Sequence, residues 1–132
     1  MKYMLDTNIL IYAIKHKPES VIQRLRKIDP KEICISSITY AELMHGVEKS
    51  KDVERNRVAL SILLSNIMII SFDSKAASEY GKIRADLEKK GTPIGTLDIM
   101  IAGHAKSMGL TVVTNNEKEF SRVENLDIEN WV

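Results

Sequence analysis

Tyr3-Met-Leu-Asp-Thr-Asn8 decides how this chain is read. An apolar run over residues 2–5 ends on a carboxylate, Asp6, and the residues from Asn8 to Lys17 then read as a helix. A short strand that turns into a helix at an acidic residue is the opening of an α/β unit. The event recurs downstream. Glu32-Ile-Cys-Ile-Ser36 reads as a buried strand, and a helix from about Thr39 toward Ser50 carries Glu42. Ile67–Ile70 and Leu110–Thr114 are the third and fourth strands, and a last short one is expected near 126–131. Between them, Pro18 opens a helix with Val21, Ile22, Leu25 and Ile28 at helical period. Helices are also expected over 52–64, with Val58, Ile62 and Leu63 on its face; from Asp73 or Ser74 to Lys90, ended by Gly91; over 97–108, closed by Gly109; and, as a short turn, over 117–120. This alternation predicts a mostly parallel sheet covered by helices on both faces.

The chain has 132 residues, enough for one domain spanning 1–132, and shows neither repeat nor interdomain linker. Apolar residues make up 44%, which supports a packed core and argues against disorder. The formal charge is +1, so any nucleic-acid partner must be met by local clusters of basic residues. A lone cysteine, Cys34, lies in an apolar run; it reads as a buried, inert thiol in a reducing compartment. No stretch reaches the ~18 apolar residues of a membrane span. Asp6 also falls too early for a signal peptide, so a cytoplasmic protein is expected. There is no H-E-x-x-H, C-x-x-C, G-x-S-x-G or P-loop lysine motif. Zinc protease, serine hydrolase and P-loop NTPase readings therefore lose their main support.

The candidate chemistry rests on three acids, each of which also has a plain structural reading. Asp6 is placed to cap a helix, with Thr7 and Asn8 beside it to orient a carboxylate or water. Glu42 closes Thr39-Tyr-Ala-Glu42, the pattern of a capping box. Its neighbours Tyr40, Ala41, Leu43 and Met44 predict a well-buried helix, with Glu42 at a pocket margin. Asp98 stands in the first turn of a helix, where the dipole favours negative charge; that helix is apolar nearly all round, and a buried carboxylate needs a partner. Thr114, Asn115, Asn116 and Glu119 follow the fourth strand. Taken together, these positions fall along the strand ends where open α/β sheets bind ligands. Gathered carboxylates call for a hard cation, Mg²⁺ or Mn²⁺. His104 reads as structural, His16 as exposed, and His45, one turn from Glu42, is open between roles. Among the basic residues, Arg84 is favoured for RNA contact because it precedes the 91–98 loop.

Four blocks together resemble the PIN-domain ribonucleases, and among them the VapC toxins of toxin–antitoxin pairs. They are Met4-Leu-Asp-Thr-Asn8, Ser36-Ser-Ile-Thr-Tyr-Ala-Glu42, Gly91-Thr-Pro-Ile-Gly-Thr-Leu-Asp98 with Ile101-Ala-Gly-His104, and Val113-Thr-Asn-Asn-Glu-Lys-Glu-Phe120. The resemblance covers the whole chain. It implies a three-layer α/β/α sandwich and a Mg²⁺- or Mn²⁺-dependent endoribonuclease. Asp6, Glu42 and Asp98 would form the acidic set, with Asp6 and Asp98 on the metal. It also implies a homodimer and a VapB-like antitoxin whose tail blocks the acidic pocket. The Pro-Ile-Gly loop and the Thr-Asn-Asn stretch resemble toxins that cut the anticodon stem-loop of initiator tRNA. Where many relatives carry a fourth acid, this chain has Asn116, whose carbonyl can hold water or metal; Glu119, three residues on, is the alternative supplier of charge. Thr7, Asn8 and Thr114 would orient water and carboxylates. Products should carry a 5′-phosphate and a 3′-hydroxyl.

A non-catalytic PIN-like module that only binds RNA or protein is the rival. Such a module should have lost one of the three acids, and all three are present. A receiver-like phosphoacceptor would need an acidic pair at the first strand and a late lysine, and the late strand ends instead in Thr-Asn-Asn.

Overall fold

The computed structural model describes residues 1–132. Five strands form one parallel sheet: β1 (Tyr3–Leu5), β2 (Ile33–Ser36), β3 (Met68–Ile70), β4 (Thr111–Val113) and β5 (Ile128–Glu129). Their order is β3-β2-β1-β4-β5. The chain therefore winds outward from β1 in one direction and returns beyond it in the other. The crevice at the carboxyl ends of β1 and β4 is the switch point where such sheets bind ligands.

The side-chain alternation of the strands sorts the core into two layers. Tyr3, Leu5, Ile33, Ile35 and Val113 face one side. There they meet α1 (Thr7–Lys15), α2 (Glu19–Lys27), α3 (Ser37–Glu48) and α4 (Val53–Leu64) through Ile9, Val21, Leu43, Leu60 and Leu64. Met4, Cys34 and Val112 face the other. They meet α5 (Ser74–Lys89), α6 (Thr96–Ser107) and the short α7 (Glu117–Phe120) through Ile83, Leu87, Ile99, Ala102 and Phe120. The result is the expected three-layer sandwich. Burial pushes the Cys34 thiol up to about 12, which suits an inert core residue.

Helix ends follow their capping chemistry. Asp6 Oδ1 accepts from the Ile9 N–H at 3.1 Å, and Asp73 Oδ1 from Ala76 at 2.9 Å. Gly91 and Gly109, at φ of 67° and 68°, end α5 and α6 in the left-handed region. Gly103 has a different role. A Cβ there would stand 2.8 Å from the Tyr80 backbone nitrogen, so only glycine lets α6 seat against α5.

Two local expectations give way. The cap of α3 is Ser36, whose Oγ accepts from the Ile38 N–H at 3.1 Å, so Thr39 lies inside the helix and no Thr39–Glu42 box forms. Thr39 is fully buried, and its Oγ1 is the only buried side-chain polar atom without a partner. Thr39→Val is therefore expected to raise stability by about 1 kcal/mol, where loss of a true cap would lower it by a similar amount; a urea titration separates the two signs. The second correction concerns α4. Val58 and Ile62 face solvent at 56% and 68% exposure, and Leu60 and Leu64 fill the core in their place. The neighbours of Glu42 are also less buried than expected, since Tyr40 and Ala41 are exposed.

Candidate active site

Asp6, the residue between β1 and α1, is only 4% exposed. Its backbone N–H donates to the Val113 carbonyl at 3.0 Å, which fixes it against the end of β4. Burial raises the Asp6 carboxyl above its ordinary value; the Thr114 hydroxyl and the Ile9 N–H oppose that, and the Glu42 charge adds to it. Thr114 is itself fully buried, and its Oγ1 accepts from the Asn116 N–H at 2.9 Å. The turn after β4 is thus tied to the residue after β1.

Glu42 reaches the same place from α3. Thr7 Oγ1 donates to its Oε1 at 2.7 Å, which explains what Glu42 does in place of capping. Asp98 comes from the third position of α6, and its carboxyl is pushed up to about 6. Burial is the main cause, followed by the charges of Asp6 and Glu119, a hydrogen bond with Glu119 and the charge of Glu42. The Asn116 amide bridges two acids, its Nδ2 lying 3.0 Å from Glu119 Oε2 and 3.4 Å from Asp98 Oδ2. All five sequence-derived candidates therefore share one neighbourhood. The cleft at its centre has a volume of about 370 Å³ and is walled by Asp6, Thr7, Asn8, Glu42, His45 and Asp98, with Ile11, Gly46, Lys49 and Leu97 completing it.

Two helices that carry acids are locked together from below. Nδ1 of the buried His104 on α6 lies 2.8 Å from Oγ of Ser36, the cap of α3. Phe72 packs edge-on against the imidazole, with centroids 5.5 Å apart. Burial holds the His104 ring below its usual pKa, only partly offset by Asp73, so it is a neutral structural group as expected.

The donor set suits a hard cation. Three carboxylates with a fourth close by are oxygen ligands whose charges repel one another, and those of Asp6, Glu119 and Glu42 add to the burial that raises Asp98. In the arrangement seen, no three of them converge on a single point. Mg²⁺ does not need that, because it is commonly held by one or two carboxylates, its own waters and substrate phosphate.

Arg84 does not reach the cleft. It lies on α5, with its guanidinium donating to the Tyr80 hydroxyl at 2.6 Å and paired with Glu88 at 3.7 Å. The expectation that it contacts RNA therefore gains nothing from its position. His45 does reach the cleft, as do Gly46 and Lys49, which the sequence reading passed over. The signal was present: positions 42, 45, 46 and 49 share one face of a helix.

The PIN domain family profile matches residues 3–126. The tRNA(fMet)-specific endonuclease VapC of Salmonella typhimurium is 48% identical over 131 residues, covering 99% of this chain and 98% of the relative. Ribonuclease VapC2 of Rickettsia felis is 49% identical over 132 residues, with 99% and 98% coverage. This chain is a PIN-domain protein of the VapC family. Solved VapC-family structures have the same shape. DNA-bound VapBC from Salmonella typhimurium superimposes with a TM-score of 0.94 at 48% identity, covering 100% of this chain and 99% of that one. VapBC2 from Rickettsia felis, bound to a fragment of its promoter DNA, gives 0.93, with full coverage of both chains. As a VapC-family PIN domain, the chain has its acids at the sheet's switch point.

Proposed function

We propose that this chain is the toxin of a toxin–antitoxin pair, an endoribonuclease that cuts tRNA in the cytoplasm and arrests translation. The observation that carries the reading is the convergence of Asp6, Glu42 and Asp98 on one cleft, in a chain 48% identical to a tRNA(fMet)-specific endonuclease. That relative's name supports initiator tRNA as the target. A degenerate binding module has no use for three intact, mutually repelling acids.

Asp6 and Asp98, with Glu42, would hold one or two Mg²⁺ or Mn²⁺ ions. When bound, such a cation supplies Lewis acidity and lowers the pKa of water to near neutrality. The chain's own groups do the rest. Thr7 fixes the Glu42 carboxylate so that it can orient the attacking water and take its proton. Thr114 and the first turn of α1 hold Asp6 rigid. Asn116 keeps Asp98 and Glu119 together in spite of their charge.

An antitoxin partner is supported by the VapBC complexes of the relatives and by a groove beside the cleft. Ile11, Ile14, Leu43, Val47 and Leu60 make that groove apolar, and it shares Ile11, Glu42 and Gly46 with the acidic cleft. An apolar segment laid there would end at the acids. The exposed Val58, Ile62, Met68 and Ile69 support a further protein-covered surface, suited to a homodimer. No helix is long and apolar enough to cross a membrane.

Expression without a partner is expected to arrest growth, and Asp6→Asn to relieve the arrest. The purified chain is expected to cleave tRNA in Mg²⁺ or Mn²⁺, leaving 5′-phosphate ends, and to stop in EDTA. A harmless wild type with no cleavage would overturn the toxin reading, and full activity in EDTA would overturn the metal.

A further inference from the structure

We propose that the α3 face from Glu42 to Lys49 is the wall that grips the RNA strand: Lys49 holds a phosphate flanking the one that is cut, and Gly46 is where the sugar–phosphate backbone passes. This rests on the ribonuclease reading and names the residues that seat its substrate. Glu42, His45, Gly46 and Lys49 all line the acidic cleft. Their spacing of three, four and seven places them on one side of the helix.

The cleft must take a polyanion, yet Asp6, Glu42 and Asp98 make it negative. Lys49 is the only Lys or Arg in its lining. Its ammonium has no carboxylate at ion-pair distance, as is true of most basic residues of the chain, so it is free to meet a phosphate. Seven residues of helix separate Glu42 from Lys49 by about 10 Å along the axis. That distance sets the lysine over a neighbouring phosphate, away from the reacting one.

Gly46 is the second, independent observation. It lies inside α3, where glycine is the poorest helix former after proline. A Cβ built on it would meet nothing within 4 Å, so packing within this chain does not require it. Gly103 is the contrast, because there a Cβ would strike Tyr80; Gly81 in α5 is as open as Gly46, and what sets Gly46 apart is its place in the cleft wall. A glycine that weakens its helix and has open space above it, in the wall of a cleft, leaves room for close approach by another molecule. The unpaired Lys49 one turn on favours a phosphate chain at this end of the cleft, whereas the acids at the other end would draw in a cationic side chain. His45, on the same wall, adds a ring able to hydrogen-bond to the strand.

The full-length chain tests this with tRNA and Mg²⁺. Lys49→Gln is expected to raise KM about tenfold, with kcat changing far less, and Lys49→Arg to restore KM. With Asp98→Asn added to prevent cutting, loss of one single-strand phosphate contact is expected to flatten the log–log salt dependence of RNA binding by about 0.7. Gly46→Ala is expected to raise Tm by about 2–4 °C while weakening RNA binding about tenfold, a combination that misfolding cannot produce. Lys75→Gln, outside the cleft, is the control and should change neither KM nor salt slope. A wild-type KM and salt slope for Lys49→Gln, or wild-type RNA binding by Gly46→Ala, would overturn the inference. So would loss of antitoxin binding alone, which would reassign the face to protein docking. A wild type that cuts no RNA would instead remove the ribonuclease reading beneath it.

Discussion

In EDTA at pH 7, Asp98→Asn is expected to melt above the wild type, and in Mg²⁺ to cleave RNA at least about 10³-fold more slowly, the equivalent of several kcal/mol of lost charge stabilisation. The two effects have one source. Burial, then the charges of Asp6 and Glu119, push the Asp98 carboxyl up to about 6 from an ordinary 3.8. A carboxyl that binds its proton more tightly in the folded state stabilises the fold fully below pH 3.8, and that contribution is lost as pH rises through about 6. At pH 7 without metal the charge is present, and it costs up to about 3 kcal/mol, or about 1–2 once solvent screening of a half-buried group is allowed for. Asparagine removes the charge and keeps an oxygen that can accept from Asn116. Between pH 4 and pH 7 in EDTA the melting temperature should therefore change less for Asp98→Asn, in which Asp6 is still raised by burial, than for the wild type. A variant that melts below the wild type at pH 7 would mean that Asp98 serves mainly the helix dipole.

The acids were legible before the fold because the sheet's logic places them. Asp6 follows β1, Asn116 follows β4 and Asp98 lies in the first turn of α6, so any parallel sheet with its switch at β1 and β4 gathers them. Glu42 was legible as a residue but not in its local role. Thr39 and Ser36 both precede it at plausible capping positions, and only the end of β2 at Ser36 decides between them. Periodicity misassigned α4 for a similar reason. That helix carries two apolar stripes, and spacing alone cannot say whether Val58 and Ile62 or Leu60 and Leu64 meet the sheet. Arg84 looked close to the site along the chain, but the length and direction of α5 carry it elsewhere. Gly46 and Lys49 needed the register of α3 relative to Asp6, which no local pattern contains.

Asn116→Asp is expected to destabilise the metal-free protein by about 2–3 kcal/mol and to make its stability strongly dependent on Mg²⁺. Without metal, the Asn116 amide stands in for part of a cation, donating toward both Asp98 and Glu119. Replacing it with a carboxylate removes both donors and sets a third negative charge between two others. Mg²⁺ reverses the order, because hard cations prefer carboxylate oxygens. A ligand that binds only the folded state raises its stability in proportion to the logarithm of its concentration over Kd, so the variant's Tm should climb more steeply across a Mg²⁺ titration than the wild type's. Glu119→Gln tests the other side of the bridge. It removes one of the charges that raise Asp98, so it should stabilise the metal-free fold, and it should cost little activity if Asn116 holds the fourth position. If Glu119→Gln costs far more activity than Asn116→Ala, the fourth position belongs to Glu119, and the amide serves only to hold that side chain in place. Equal melts for Asn116→Asp and the wild type in EDTA, with equal Mg²⁺ shifts, would leave Asp6, Glu42 and Asp98 as the whole of the metal site.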